Sequence, residues 1–201
     1  MKALILALTT AGLMTACTSS PTLKKETTMT QAERPVLTPP EVLMKALDFI
    51  RTAESPEDFK IAKAEKITKI KFLERKDKTQ GRYDFYNSND FGDSGWSWFL
   101  GFLYENGGTM HLSFNNGVRN APATPVCQLD LDQFHPMLEQ AGFTYNGRGN
   151  WGSPFSGYVK DYPNGYHADV RVTYVGESAE KVTHDCIDGI TFDIYKVGVW
   201  K

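Results

Sequence analysis

Three glycine-bearing turn signals divide the chain beyond Trp98 into short segments that favour strands. They are Asn106-Gly107-Gly108, Pro163-Asn164-Gly165 and Asp188-Gly189. The first is flanked by Trp98 to Glu105 and Thr109 to Phe114, the second by Gly157 to Tyr162 and Tyr166 to Val175. The third is flanked by Glu180 to Ile187 and Ile190 to Val197. Glycine and asparagine reach the positive φ angles of tight hairpins, so each signal predicts an antiparallel pair. Asp188-Gly189 is the two-residue form and the strongest hairpin signal of the three. Arg82 to Tyr86, Val126 to Leu129 and the segment starting at Phe143 to Asn146 read as further strands.

Helix signals are fewer but well punctuated. Thr38-Pro39-Pro40-Glu41 combines a capping threonine, a proline suited to the first helical position and a glutamate three residues after the cap. Val42, Leu43, Ala46, Leu47, Phe49, Ile50 and Ala53 follow at helical spacing. Ser55-Pro56-Glu57-Asp58 repeats the start logic and predicts a shorter helix to about Ala64, before alternation from Lys66 to Glu74 predicts a strand. Asp130 or Asp132 caps another helix, with Leu131, Phe134, Leu138 and Ala141 on one face and Gly142 at its stop. Pro136 is expected in that helix's first turn, where amides have no intrahelical partner. The resulting order, αα-ββββ then α-ββββ, predicts an α+β fold: antiparallel sheet with helices packed on one side. It also admits a reading as two helix-plus-sheet halves, although the residues show no repeat.

The N-terminal segment gives an address. Lys2 precedes the apolar run Ala3-Leu4-Ile5-Leu6-Ala7-Leu8, and small or apolar residues continue to Met14. This is the order of a secretory signal, and it is too short to span a bilayer, which takes about 20 apolar residues. Its end, Met14-Thr15-Ala16-Cys17, resembles the lipobox of bacterial lipoproteins, with Met14 where leucine is usual. The resemblance covers only the first 17 residues. It implies cleavage after residue 16, acylation of Cys17 and membrane attachment through the lipid. Thr18, in place of aspartate, implies the outer membrane facing the periplasm. Residues 17–38 are rich in Thr, Ser, Pro, Lys and Glu and read as a flexible tether. About 20 such residues span roughly 25 Å on average. Residues 39–201 then form a single α+β domain of periplasmic type.

With Cys17 lipidated, two of the three cysteines remain, Cys127 and Cys186. In an oxidising compartment they are expected to pair as a disulfide. A net charge of −2 argues against nucleic acid as a partner. Lys and Arg exceed the acids from Lys24 to Lys78 and the acids prevail afterwards, as on a mixed, solvated surface.

Motifs that carry chemistry are weak. Gly147-Arg148-Gly149-Asn150-Trp151-Gly152 matches G-x-G-x-x-G, but a dinucleotide site needs a helix directly after it, and Ser153-Pro154 and a strand follow, so a flexible loop is expected. Asn87 to Asp93 offers alternating oxygens without the closing glutamate of a calcium loop, and reads as a polar loop. His111, His135, His167 and His184 make no zinc-binding spacing. Around Cys127 the residues Val126-Cys127-Gln128-Leu129 lack the Asp-Cys-Ser-Gly of NlpC/P60-type cell-wall peptidases. No catalytic residue, cofactor or metal is nominated.

What remains is aromatic placement. Trp96 and Trp98 follow a glycine-rich loop, and Trp151, Phe155 and Tyr158 lie in or beside a second one. Aromatics on loops are favoured contact anchors, whereas large rings in general are strongly buried; the two readings place these five residues on an interface or in the core. The function expected is a membrane-anchored, non-enzymatic binding module for a protein or cell-wall partner, of inhibitor or immunity type among others. The alternatives are a peptidoglycan-acting hydrolase, recognisable by a cleft carboxylate or histidine of displaced pKa, and an assembly lipoprotein.

Overall fold

The computed structural model describes residues 36–75, 83–104, 107–118, 121–150 and 154–198. The lipobox with Cys17, nearly all of the tether, Trp151 and Asn106 lie outside them. The elements run α1 (Pro39–Thr52), α2 (Ile61–Thr68), β1 (Leu73–Glu74), β2 (Phe85–Asp90), β3 (Trp96–Leu103), β4 (Gly108–Asn116), α3 (Leu131–Gln140), β5 (Thr144–Asn150), β6 (Pro154–Asp161), β7 (Tyr166–Gly176) and β8 (Asp185–Lys196). A single antiparallel sheet has the order β1-β2-β3-β4-β8-β7-β6-β5. Each half is thus a helical segment followed by a four-strand meander, and the two meanders join where β4 pairs with β8, Leu112 opposite Ile190. The expected α+β fold is observed.

Helices cover one face. Alternation along β3 turns Trp96, Trp98, Leu100 and Phe102 inward, and β4 matches them with Met110, Leu112 and Phe114. Phe49 of α1 meets Phe102 and Phe192 edge-on, at 4.9 and 6.2 Å between centroids, which ties that helix to both halves. The α1 start forms as expected, Thr38 N–H donating to Glu41 Oε2 at 2.7 Å. Asp130 caps α3 by accepting from Gln133 N–H at 2.8 Å, and Gly142 stops it at φ +85°.

The departures have local causes. Ser55-Pro56-Glu57-Asp58 opens only a 3₁₀ turn, Pro56–Phe59; the helix proper follows as α2 and ends at Lys69, whose φ is 58°. The strand expected from Lys66 therefore begins at Leu73. Val126 to Leu129 forms a turn rather than a strand. Asn87 to Asp90 belongs to β2 instead of a loop, with Asn87 buried and its Nδ2 donating to Lys71 C=O. Pro136 sits inside α3, beyond its first turn; it is exposed, so the helix carbonyl it leaves unpaired is open to water. The glycine-rich stretch from Gly147 is the edge strand β5 rather than a loop. Its bulge falls at Asn146, between the pairs Tyr145–Tyr158 and Gly147–Gly157, with Gly147 at φ +104°, and the Phe155 ring lies where a Cβ on Gly149 would stand.

Asp188-Gly189 is the largest correction. It makes no hairpin but lies within the central strand β8, where Gly189 pairs with Ser113 on one side and Thr173 on the other. Asp188 is the additional residue of a bulge against β7, between the pairs Thr173–Gly189 and Tyr174–Ile187. A Cβ on Gly189 would come within 2.7 Å of Thr173 Oγ1 and 3.1 Å of Leu112 C=O, which explains the glycine without a turn.

Candidate functional site

A cleft of about 710 Å³ opens where β3 begins and β4 and β7 end. Trp96, Phe114, Val118, Ala121, Pro122, Val175 and Val182 are its apolar lining. Asn115, Asn116, Glu177, Ser178, Glu180 and Asp188 supply the polar groups, and none of the described lining residues is basic. The wall at Trp96 is fixed by its indole Nε1–H, which donates to Pro122 C=O at 3.2 Å.

The loop from Glu177 to His184 forms the opposite wall, and a four-residue ionic cluster holds it. His184 Nδ1 is 2.7 Å from Glu177 Oε2, and its Nε2 is 2.9 Å from Asp130 Oδ2. Lys181 Nζ reaches Glu177 Oε2 at 3.1 Å. Glu177 is buried, and hydrogen bonds from His184, then Lys181, pull its pKa down to about 2. Donation to Glu177 first, and to Asp130 second, raises the pKa of His184. With both ring nitrogens engaged by carboxylates, His184 has neither free to act as a general base. It serves as a clamp between the β7–β8 loop and the N-terminus of α3.

Cys127 and Cys186 form the expected disulfide beside this clamp, with Cα atoms 4.9 Å apart, and Cys127 Sγ lies 3.8 Å from His184 Nδ1. The two sulfurs and an imidazole nitrogen gather within 4.8 Å of one another. While the disulfide stands, neither sulfur is a thiolate, so the trio lacks the donors of a zinc site.

The clamp has a pH signature. Protonated His184 stabilises the fold fully below its unfolded pKa of about 6.5 and progressively less as pH rises through its higher folded value. Glu177 contributes fully above its unfolded pKa of about 4.5 and loses its contribution as pH falls towards about 2. The stability difference between the wild type and His184→Gln, measured by urea titration, is therefore greatest between about pH 4.5 and 6.5 and shrinks on both sides. A difference constant from pH 4 to 9 would remove the ionic basis of the clamp.

Asp188 stands apart from the cluster. Its Oδ1 is buried without a hydrogen-bond partner; among the described residues only Trp98 Nε1 shares that state. Burial raises the Asp188 pKa, opposed by a hydrogen bond from Thr173. Glu180, on the exposed rim, is held ionised by its bond from Ser178 Oγ at 2.8 Å.

Of the four aromatic candidates among the described residues, Trp96 alone borders the cleft, and it is largely buried. Trp98 and Tyr158, each 1% exposed, are core residues with no ring face to offer a partner. Tyr158 OH is 3.0 Å from His135 Nδ1, and burial pushes its pKa up to about 12. Phe155 lies half-buried on the other side of the sheet under the Arg171 guanidinium, 5.1 Å from the ring centroid. Trp151 lies outside the described residues. Glu177, Val182, His184 and Asp188 were not singled out as site residues from sequence, because the cleft assembles positions from 96 to 188. Comparison with protein-family models, curated proteins and solved structures finds no match.

Proposed function

We propose that this chain is a lipid-anchored protein of the bacterial envelope, attached through Cys17 to the outer membrane on the periplasmic side, and that it works as a binding module. The cleft at the Trp96 end of the sheet receives a protein partner. The observation that carries this reading is the lining: a contiguous apolar wall with convergent polar groups, the usual make-up of a recognition site. The nearest imidazole is spent on the clamp, which favours binding over hydrolysis by a histidine-activated nucleophile. No helix among the described residues is long and apolar enough to cross a membrane, so the acylated cysteine would supply the attachment.

The test is quantitative mass spectrometry of material co-purified with the tagged, full-length protein from native envelopes, beside a Val182→Trp variant that fills the cleft. Val182 is 65% exposed, so the fold tolerates the change. One protein enriched with the wild type and lost with the variant is the expected result. Equal recovery with both chains would sink the cleft as the binding site.

One observation favours a second reading, a peptidoglycan-acting hydrolase. Asp188 is a cleft carboxyl with a raised pKa, as a general acid requires. That reading expects turnover of purified peptidoglycan by the wild type and none by Asp188→Asn. The binding reading expects no turnover from either.

A further inference from the structure

We propose that the occupant of the cleft is a lysine or arginine side chain presented by the partner polypeptide, its aliphatic stem against Phe114, Val175 and Val182 and its charge answered by Glu180 and Asp188. The inference rests on the cleft being the binding site. It deepens that reading by assigning the chemistry of the partner.

The argument begins with charge. The described lining holds three carboxylates and no basic side chain. Glu177 is already engaged by His184 and Lys181, which leaves Glu180 at the rim and Asp188 on β8 to meet an incoming cation. Asp188 lines the cleft from a central strand; its Oδ1 is buried without a hydrogen-bond partner, so its charge is only partly compensated in the free protein, and a cation seated in the cleft compensates it through space. The remaining lining is apolar, so the cation needs a hydrocarbon stem; lysine and arginine carry both parts. Size points to a polypeptide rather than a free amine, since the cleft has room for roughly two dozen water volumes. That accommodates one long side chain with the residues on either side, and Asn115 and Asn116 place amides at the rim for their backbone.

Asp188→Asn separates this role from a structural one. It removes the unpaired charge while keeping the shape. The variant therefore unfolds at the same or a higher urea midpoint than the wild type, yet binds its partner about tenfold or more weakly. A structural carboxylate would lower the midpoint.

The experiment places a photo-crosslinking amino acid at Val182 of the full-length, membrane-anchored protein, irradiates native envelopes and sequences the attached partner peptide. The expected product carries Lys or Arg within a few residues of the crosslink. A synthetic peptide of that sequence, titrated calorimetrically, then loses about tenfold or more in affinity when the basic residue becomes norleucine or when Asp188 becomes asparagine. A captured segment without a basic residue, or affinity unchanged by either substitution, overturns the cation assignment and leaves the binding module standing. Absence of any specific crosslink overturns both. An Asp188→Asn variant less stable than the wild type also overturns the assignment, because Asp188 would then be a structural group.

Discussion

Removing the Cys127–Cys186 disulfide lowers the stability of the folded domain by about 4 kcal/mol, the entropy of closing a loop of this length in the unfolded chain. The two cysteines are separated by 59 positions, and the loop between them contains all of α3, β5, β6 and β7. For a domain of this size the expected fall in melting temperature is roughly 10 °C. The effect acts through the unfolded chain, so the native contacts persist. The Cys127→Ala/Cys186→Ala double variant should keep the wild-type far-ultraviolet spectrum at room temperature and melt earlier. Alanine suits both sites, since Cys186 is fully buried and Cys127 packs against the core. Reduction of the wild type should reproduce the shift. That arm needs a chelator, because two freed thiolates beside His184 would offer zinc three ligands and a metal would replace the staple. A melting temperature within about 2 °C of the wild type, in either arm, would mean that the clamp alone holds this corner.

The disulfide was legible in the sequence because it needed only a count and a compartment: three cysteines, one assigned to the lipid by resemblance, two left. The element order was legible for a similar reason. Capping boxes, hairpin turns and helix stops are local, and Thr38 with Glu41, Asp130 with Gln133 and Gly165 each do what their neighbours in sequence require. Asp188-Gly189 misled because the same local chemistry serves two ends. A dipeptide that turns a hairpin also makes a bulge in a long strand, and only the neighbours of β8, with Thr173 and Leu112 crowding Gly189, decide between them. Burial of Trp96 and Trp98, one of the two readings open to them, is written in Trp96-Ser97-Trp98-Phe99-Leu100, where every second residue is large and apolar.

The site was the least legible part, and the physical reason is distance along the chain. His184 is flanked by carboxylates 7 and 54 positions away, so no motif scan joins them. The cleft draws on the start of β3, the end of β4, the residues before α3, the end of β7, the β7–β8 loop and the β8 bulge. The misread hairpin matters here. With a turn at Asp188 its carboxylate would be a solvated tip, whereas the bulge places it in a central strand facing a cavity. A hairpin reading of Asp188-Gly189 thus hides Asp188 as a residue of the cleft lining.

Phe49→Ala should cost about 3–5 kcal/mol, comparable with the disulfide and a large share of what a domain of this size has in reserve. Phe49 is fully buried, and its ring is 5.0 Å from Phe59, 4.9 Å from Phe102 and 6.2 Å from Phe192 between centroids. Those partners sit on the 3₁₀ turn before α2, on β3 and on β8. Strands β3 and β8 flank β4 and belong to different meanders, so this one ring bridges the seam on which the sheet depends. The cavity left by alanine would be walled by rings anchored in sheet and turn, which limits relaxation and places the cost towards the upper end of the range. Because both halves lose the same neighbour, they should still unfold together. Urea titrations followed by tryptophan fluorescence and by far-ultraviolet circular dichroism should give coincident transitions, with a lower midpoint and an unchanged slope. Two separated transitions would show that each meander is stable without the ring, and that the Phe49 ring, rather than the β4–β8 pairing, couples the halves.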